Sequence, residues 1–333
     1  MKKLFASFVV LFIACAAMAQ QLNRYVPADS IFAGTTDGLA LLQSKIYNSF
    51  IFSATQKTME DLLKEQGKTL AQAKKECGVA VFFGRIKSIA PQVQVVGGAV
   101  VRGTQKDSFA AYQNLTLEKA TAQLKSSGVT PEMLQQIGVK LETITIEGKK
   151  ALLASCVEPA FQIAMVAVSG NQLQVRFAFG TPVERKFFRP LKQYSAMTKE
   201  LRFDSLFSLA VNVPSILKMA NDPQAQQDPV AKSLKNVSFF IKENQDNLLC
   251  QIKVDTVSPE SANMIKAQIN AVVEQMKVNP QSKTFAEMIK LSSQGNTVIV
   301  KAEMPTDFLL AMFAQAVAAR QQPQMAPAAP AGK

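Results

Sequence analysis

Histidine is absent from all 333 residues. That removes His-based catalytic triads, histidine metal ligation and the side chain that most readily moves protons near neutral pH. Cysteine is scarce: Cys15, Cys77, Cys156 and Cys250 form no CxxC pair and no zinc-ligand spacing. No Walker loop and no GxSxG elbow is present. Past the N-terminus, no apolar run reaches the length of a membrane-spanning helix. The sequence therefore implies no metal and no cofactor.

What is present begins with "MKKLFASFVVLFIACAAMAQ". Lys2 and Lys3 precede an apolar run from Leu4 to Ala14, and Ala17-Met18-Ala19 fits a signal-peptidase site. Residues 1–19 thus read as an export signal. The alternative is a lipobox at Phe12–Cys15, in which Cys15 is lipidated and anchors the chain. After the signal leaves, three cysteines remain, so at most one intramolecular disulfide can form. Cys156 and Cys250 sit in apolar-alternating runs and read as buried small hydrophobes. The net charge of +12 favours anionic partners such as envelope polymers or lipid head groups. Export and the lack of an aromatic-basic motif argue against nucleic acid. Localisation is read as periplasmic or secreted, with lipid anchoring at the membrane as the alternative.

Periodicity places helices near 55–66 and 69–76, strands over 78–86 and 92–103, and helices near 107–113, 117–127 and 131–137. The glycines at 97 and 98 imply a bulge or a close backbone neighbour. Hairpins follow, turning at Gly148-Lys149 and Gly170-Asn171. A strand then runs over "DSLFSLAVNV", followed by helices near 215–220 and 229–235 and a hairpin over 236–255. Ser258 and Pro259 open a helix to 277. Another helix spans 283–292, then a strand over 297–304 and a last helix from Thr306.

Several features recur in order. "DSIFAGTTDGLALL" from Asp29 parallels "DSLFSLAVNVPSIL" from Asp204. "GVAVFF" parallels "NVSFFI". "SGNQLQVRFAFGTP" parallels "SQGNTVIVKAEMPTD", with Arg176 set against Lys301. The expected fold class is α+β, built as two related modules, each an antiparallel sheet with helices packed on one face. The first module spans 20–181, a basic connector helix spans 182–203, and the second, shorter module spans 204–319. The Pro/Ala/Gln tail 320–333 has no core-forming pattern and reads as disordered. Whether the two sheets are separate or continuous stays open.

With "YVPADSIFAGTTDG", "VVGGAVVRG" and "GNTVIVKAEMPTDFLL" in place, the chain resembles exported bacterial proteins of unknown function, of the planctomycete and verrucomicrobium type. The resemblance implies no functional residues.

The densest charge is Arg185, Lys186, Arg189, Lys192, Lys199 and Arg202, interleaved with Phe187, Phe188 and Tyr194. One reading is a contact with an anionic surface. The other is a connector that buries its aromatics while the Lys and Arg heads reach water. Ser215 and Lys218 match Ser-x-x-Lys, but no Ser-Asp-Asn or Lys-Thr-Gly accompanies them. Glu142 and Glu147, or the recurring Asp29 and Asp204, are candidate carboxylate pairs, the latter also fitting turn residues. The leading functional reading is a non-enzymatic exported envelope protein with a binding or structural role. The alternatives are a carrier of an apolar ligand such as lipid, and a hydrolase using carboxylates or Ser215/Lys218.

Overall fold

The computed structural model describes residues 22–49, 78–89, 92–113, 116–126, 130–158, 160–220, 223–280 and 282–311, with residues 64 and 69. The signal segment with Cys15, Cys77 and the tail 320–333 lie outside the described residues, as does almost all of the helices expected over 55–66 and 69–76.

Alternating apolar residues make strands wherever one face can be buried. Here these are β1 (Ser30–Asp37), β2 (Val79–Ser88), β3 (Gln94–Arg102), β4 (Val139–Ile146), β5 (Lys149–Cys156) and β6 (Phe161–Ser169). They continue with β7 (Gln172–Phe179), β8 (Phe207–Asn212), β9 (Leu234–Asn244), β10 (Asn247–Thr256), β11 (Ile289–Gln294) and β12 (Thr297–Pro305). The described strands form one 12-stranded sheet in the order β11-β12-β10-β9-β8-β1-β2-β3-β7-β6-β5-β4. Every neighbouring pair is antiparallel. The open question of one sheet or two is answered: β1 and β8 pair at the centre, with Ala33 opposite Ala210 and Thr35 opposite Ser208.

Helices cover one face. Ala262 and Ile265 of the helix Pro259–Val278 pack with Val254 and Val298. Ser258 caps that helix and Pro259 opens it, because proline's missing N–H costs nothing in the first turn. In the first half, Phe109 and Ala120 pack on Ala99, Val101, Leu173 and Val175.

The opposite face is covered over the first half and over the neighbouring strands β8 and β9, where Ala210 joins the same cluster and Arg202 lies over the Phe240 ring. Leu22, Tyr25 and Val26 lie there with Met197 and Leu201, against Val79, Val81, Phe83 and Val100. Val183 and Phe187 continue the cover over Val96, Ile146 and Ala164. Over β12 and β11, at the far edge of the second half, the same face is bare, and Lys290, Ser292, Lys301 and Glu303 are exposed.

Three expectations need correction. The segment 182–203 is not a helix: it is an extended strap whose regular part is the 3-10 turn Ala196–Glu200. Pro190, in mid-segment, lacks an amide hydrogen and biases Arg189 away from helical angles, so no continuous helical ladder can run through it. Residues 289–292, read as the end of a helix, belong to β11, because Ile289 and Leu291 alternate with Lys290 and Ser292 and pair with β12. Cys156 and Cys250 are free and only half-buried rather than core residues. The Cys250 thiol is nonetheless pushed up by its partial burial.

The β1–β8 junction leaves no room for bulk. A Cβ on Gly34 would lie 2.1 Å from Cζ of Phe82 and 2.7 Å from the Ser208 carbonyl oxygen. Gly34→Val is therefore expected to destabilise the protein by about 1–3 kcal/mol, the usual cost of overpacking. A lowered urea midpoint at unchanged slope is the expected readout; an unchanged midpoint would show that the junction is not tightly packed.

Candidate functional site

The strap is held by backbone groups that a helix would have satisfied internally. Gln174, on β7 and fully buried, accepts from the Phe188 N–H at 2.8 Å and donates to the Phe188 carbonyl at 2.9 Å. Its side-chain amide thus acts as a one-residue strand partner. Val183 donates to Oε1 of Gln162 at 3.0 Å. Leu191 donates to the Arg24 carbonyl at 2.6 Å and Ser195 to the Val26 carbonyl at 3.0 Å.

Gly98 makes the close approach possible. A Cβ there would meet the Val175 carbonyl oxygen at 2.2 Å and the Phe188 ring at 2.5 Å. The expected close backbone neighbours of the glycine pair are thus strand β2 at Gly97, where a Cβ would lie 2.2 Å from the Phe83 carbonyl oxygen, and strand β7 at Gly98, with the strap above it. The Phe188 ring packs edge-on against Phe83, with centroids 5.0 Å apart. Its face lies 3.9 Å from the guanidinium carbon of Arg176.

Beneath the strap is an open-sided cavity of about 510 Å³. Phe83, Val96, Phe187, Phe188 and Leu191 give it apolar walls, and Arg176 lines it with Arg85, Glu147, Glu184, Lys186 and Arg189. The two carboxylates are already engaged. Arg85 donates to Glu184 at 2.8 Å and Arg189 to Glu147 at 3.0 Å. Glu147 reaches out from the turn Glu147–Gly148, where it holds a left-handed φ of 44°. That turn lies one residue earlier than expected.

Arg176 is only 2% exposed, and its Nε has no hydrogen-bond partner within the protein. Nη2 reaches Oε1 of Gln174 at a long 3.4 Å. Burial pushes its ionisation down to about 10, opposed by Glu184 and Glu147, so the side chain keeps its charge at neutral pH.

The sequence-derived candidates fall in several places. Arg185, Lys186, Arg189, Lys192, Lys199 and Arg202 are all exposed on the strap, while Phe187 and Phe188 are half-buried beneath it. Only Lys186 and Arg189 line the cavity. Arg202 lies 3.6 Å from Asp204 and 5.2 Å from the Phe240 ring centroid. Ser215 and Lys218 share the helix Val213–Ala220, where the Ser215 N–H donates to Asn212 Oδ1 at 3.0 Å and Lys218 is exposed. No hydrogen bond joins their side chains.

The carboxylate pairs do not converge. Asp29 and Asp204 precede β1 and β8, which run antiparallel, so they stand at opposite ends of the pair, roughly 25 Å apart at about 3.3 Å per residue. Asp29 faces Arg85 at 3.7 Å, and Asp204 accepts from Lys242 at 2.7 Å. That bond holds the Asp204 carboxyl below the usual range. Glu142 pairs with Lys140 at 3.0 Å. Among the described residues, no three His, Cys, Asp or Glu side chains gather as a metal site, and no helix is long and apolar enough to cross a membrane.

No family model matches the sequence, and no curated protein does. Solved structures of TP0453, a Treponema protein, give weak structural matches. Its crystal form III matches at TM-score 0.40 and 9% identity, covering 90% of this chain and 99% of that one. Crystal form I matches at TM-score 0.38 and 9% identity, covering 90% and 98%. Likeness at this level carries no inference about function.

Gln174→Ala removes the strap's main clamp on the sheet and leaves the Phe188 N–H and carbonyl unpaired. The expected cost is about 1–3 kcal/mol. Hydrogen exchange should quicken at the amides of 183–191 more than elsewhere; protection unchanged there would refute the clamp.

Proposed function

We propose that the chain is an exported, non-enzymatic binding protein of the bacterial envelope, with the cavity under the strap as its ligand site. One observation carries the reading: a cavity of small-molecule size, apolar-walled, with a few charged groups turned towards it. It favours binding over hydrolysis, because the candidate nucleophile and carboxylate pairs lie apart or are bound to lysine and arginine.

The export reading rests on the N-terminal segment, and the envelope is where basic surface charge on the strap would meet anionic polymer or lipid head groups. Protein purified from its native host tests both points. Native mass spectrometry is expected to show a co-purifying small molecule that is lost on Leu191→Trp, a substitution that fills the cavity from the strap side. Repeated recovery of ligand-free protein would count against a binding role. The mature N-terminus is expected at Gln20; a lipidated Cys15 would instead establish anchoring.

The same reading includes duplication of an α+β module. Outward from the centre, one half runs β1-β2-β3-β7-β6 and the other β8-β9-β10-β12-β11. The β4–β5 hairpin is extra. Ser30 and Ser205 each donate to the carbonyl three residues back, Pro27 at 2.7 Å and Arg202 at 2.5 Å. Asp29 and Asp204 each face a basic residue of the next strand. The Asn171 and Asn296 carbonyls of the two Gly-Asn turns each accept at 2.8 Å, from Gly103 and Thr256. Superposing the two five-strand sets would overturn duplication if these paired residues did not coincide.

A further inference from the structure

The cavity's charge is unbalanced. Arg85, Arg176, Lys186 and Arg189 face it against Glu147 and Glu184. Each glutamate is held by its own arginine at 3.0 Å or less, which leaves Arg176 between them with no carboxylate of its own. Burying a cation without a hydrogen-bonded counter-charge is costly. The Phe188 ring compensates in part by covering one face of the guanidinium, and Gln174 takes one distant donor. The Nε–H stays unused. Packing alone does not call for arginine here, since its cross-strand neighbours are Gly98 and Ala164. Lys301, its counterpart by sequence in the other half, is exposed and needs no such shelter.

Resting on the reading of the cavity as a ligand site, we propose that the ligand is an oxyanion carried on an apolar body, with the Arg176 guanidinium as the partner of its negative group. A guanidinium offers planar, directional donors that suit carboxylate, sulfonate or phosphate oxygens. Phe83, Phe187 and Leu191 supply apolar wall for the rest of the molecule. Lys186 and Arg189, exposed at the mouth, raise the local concentration of anions. Neutral lipids and bare inorganic anions each satisfy only half of this arrangement.

The test compares two probes with nearly the same flat apolar body, one charged and one neutral: 1-anilinonaphthalene-8-sulfonate and N-phenyl-1-naphthylamine. Both are titrated by fluorescence into the mature protein, into Arg176→Met and into Leu191→Trp. Wild type is expected to bind the sulfonate about 10–100-fold more tightly than the neutral probe, the range of a charge-assisted hydrogen bond. Arg176→Met should abolish that preference while keeping affinity for the neutral probe. Replacing a buried charge by an apolar side chain of similar volume is usually tolerated. Should that variant fail to fold, the wild-type comparison still tests the anion, and Arg176→Lys, which keeps the charge but loses the planar donor fork, is expected to weaken the sulfonate preference. A preference unchanged in either variant overturns the assignment to Arg176.

Equal binding of both probes by wild type, with both weakened by Leu191→Trp, overturns the anion assignment and leaves the cavity reading standing. Binding of neither probe, or binding indifferent to Leu191→Trp, overturns the cavity reading itself. Competition separates the sources of the charge. Dodecanoate is expected to displace the sulfonate at concentrations where inorganic phosphate does not; displacement by phosphate alone would make this a free-anion site and remove the apolar body.

Discussion

The chain finishes its first half on β7 and must begin its second beside β1. Between those places lie β3, β2 and β1. The segment from Thr181 to Leu206 therefore has to cross the sheet face, a lateral distance of roughly 19 Å at about 4.8 Å per strand. A crossing segment carries backbone donors and acceptors that cannot be left dry. Gln174, Gln162 and the carbonyls of Arg24 and Val26 meet that need, each from a fixed place beneath or beside the strap. The covered core of the first half, the cavity and the shelter around Arg176 all follow from that crossing.

The asymmetry between the halves has the same origin. Only one crossing is needed, so the cover reaches over the first half and the central strands β8 and β9 but not the far edge of the second half. The uncovered edge carries lysine, serine and glutamate on the same face, as a water-facing sheet should. Gln174 and Arg176 are both buried under the cover, and among the described residues Arg176 is the one charged side chain that is buried.

Much of the fold was legible in the sequence because strands with one buried face announce themselves by alternation. The hairpins, the capped helix at Ser258–Pro259 and the recurring Asp-Ser and Gly-Asn turns were all visible that way. β11 was not, since six residues with two apolar positions look alike as helix end or strand until a partner is known. The strap was misread because its aromatic and basic residues are spaced as on an amphipathic helix, although Pro190 stands in its middle. The site was the least legible part. Gln174 and Arg176 alternate with Leu173 and Val175, so periodicity assigns them to the wet face. No local pattern says that a later segment will cover them. Gly98, which lets Phe188 come close, was the one hint.

Joining the halves through β1 and β8 also orders events during folding. Their rungs link residues such as Ala33 and Ala210, far apart in the chain, whereas most other pairs connect close sequence neighbours. Contacts of such separation close late because the intervening chain must first be gathered in. Each half therefore carries an open strand edge at its centre for some time, and such edges invite pairing with other molecules. Phe32, Leu209 and Val211 share those rungs with Ala33, Gly34, Thr35, Ser208 and Ala210, so the unfinished rims are apolar as well as unpaired. The seam that makes one sheet of two halves is thus also the place where an incomplete chain is most open to pairing with another copy.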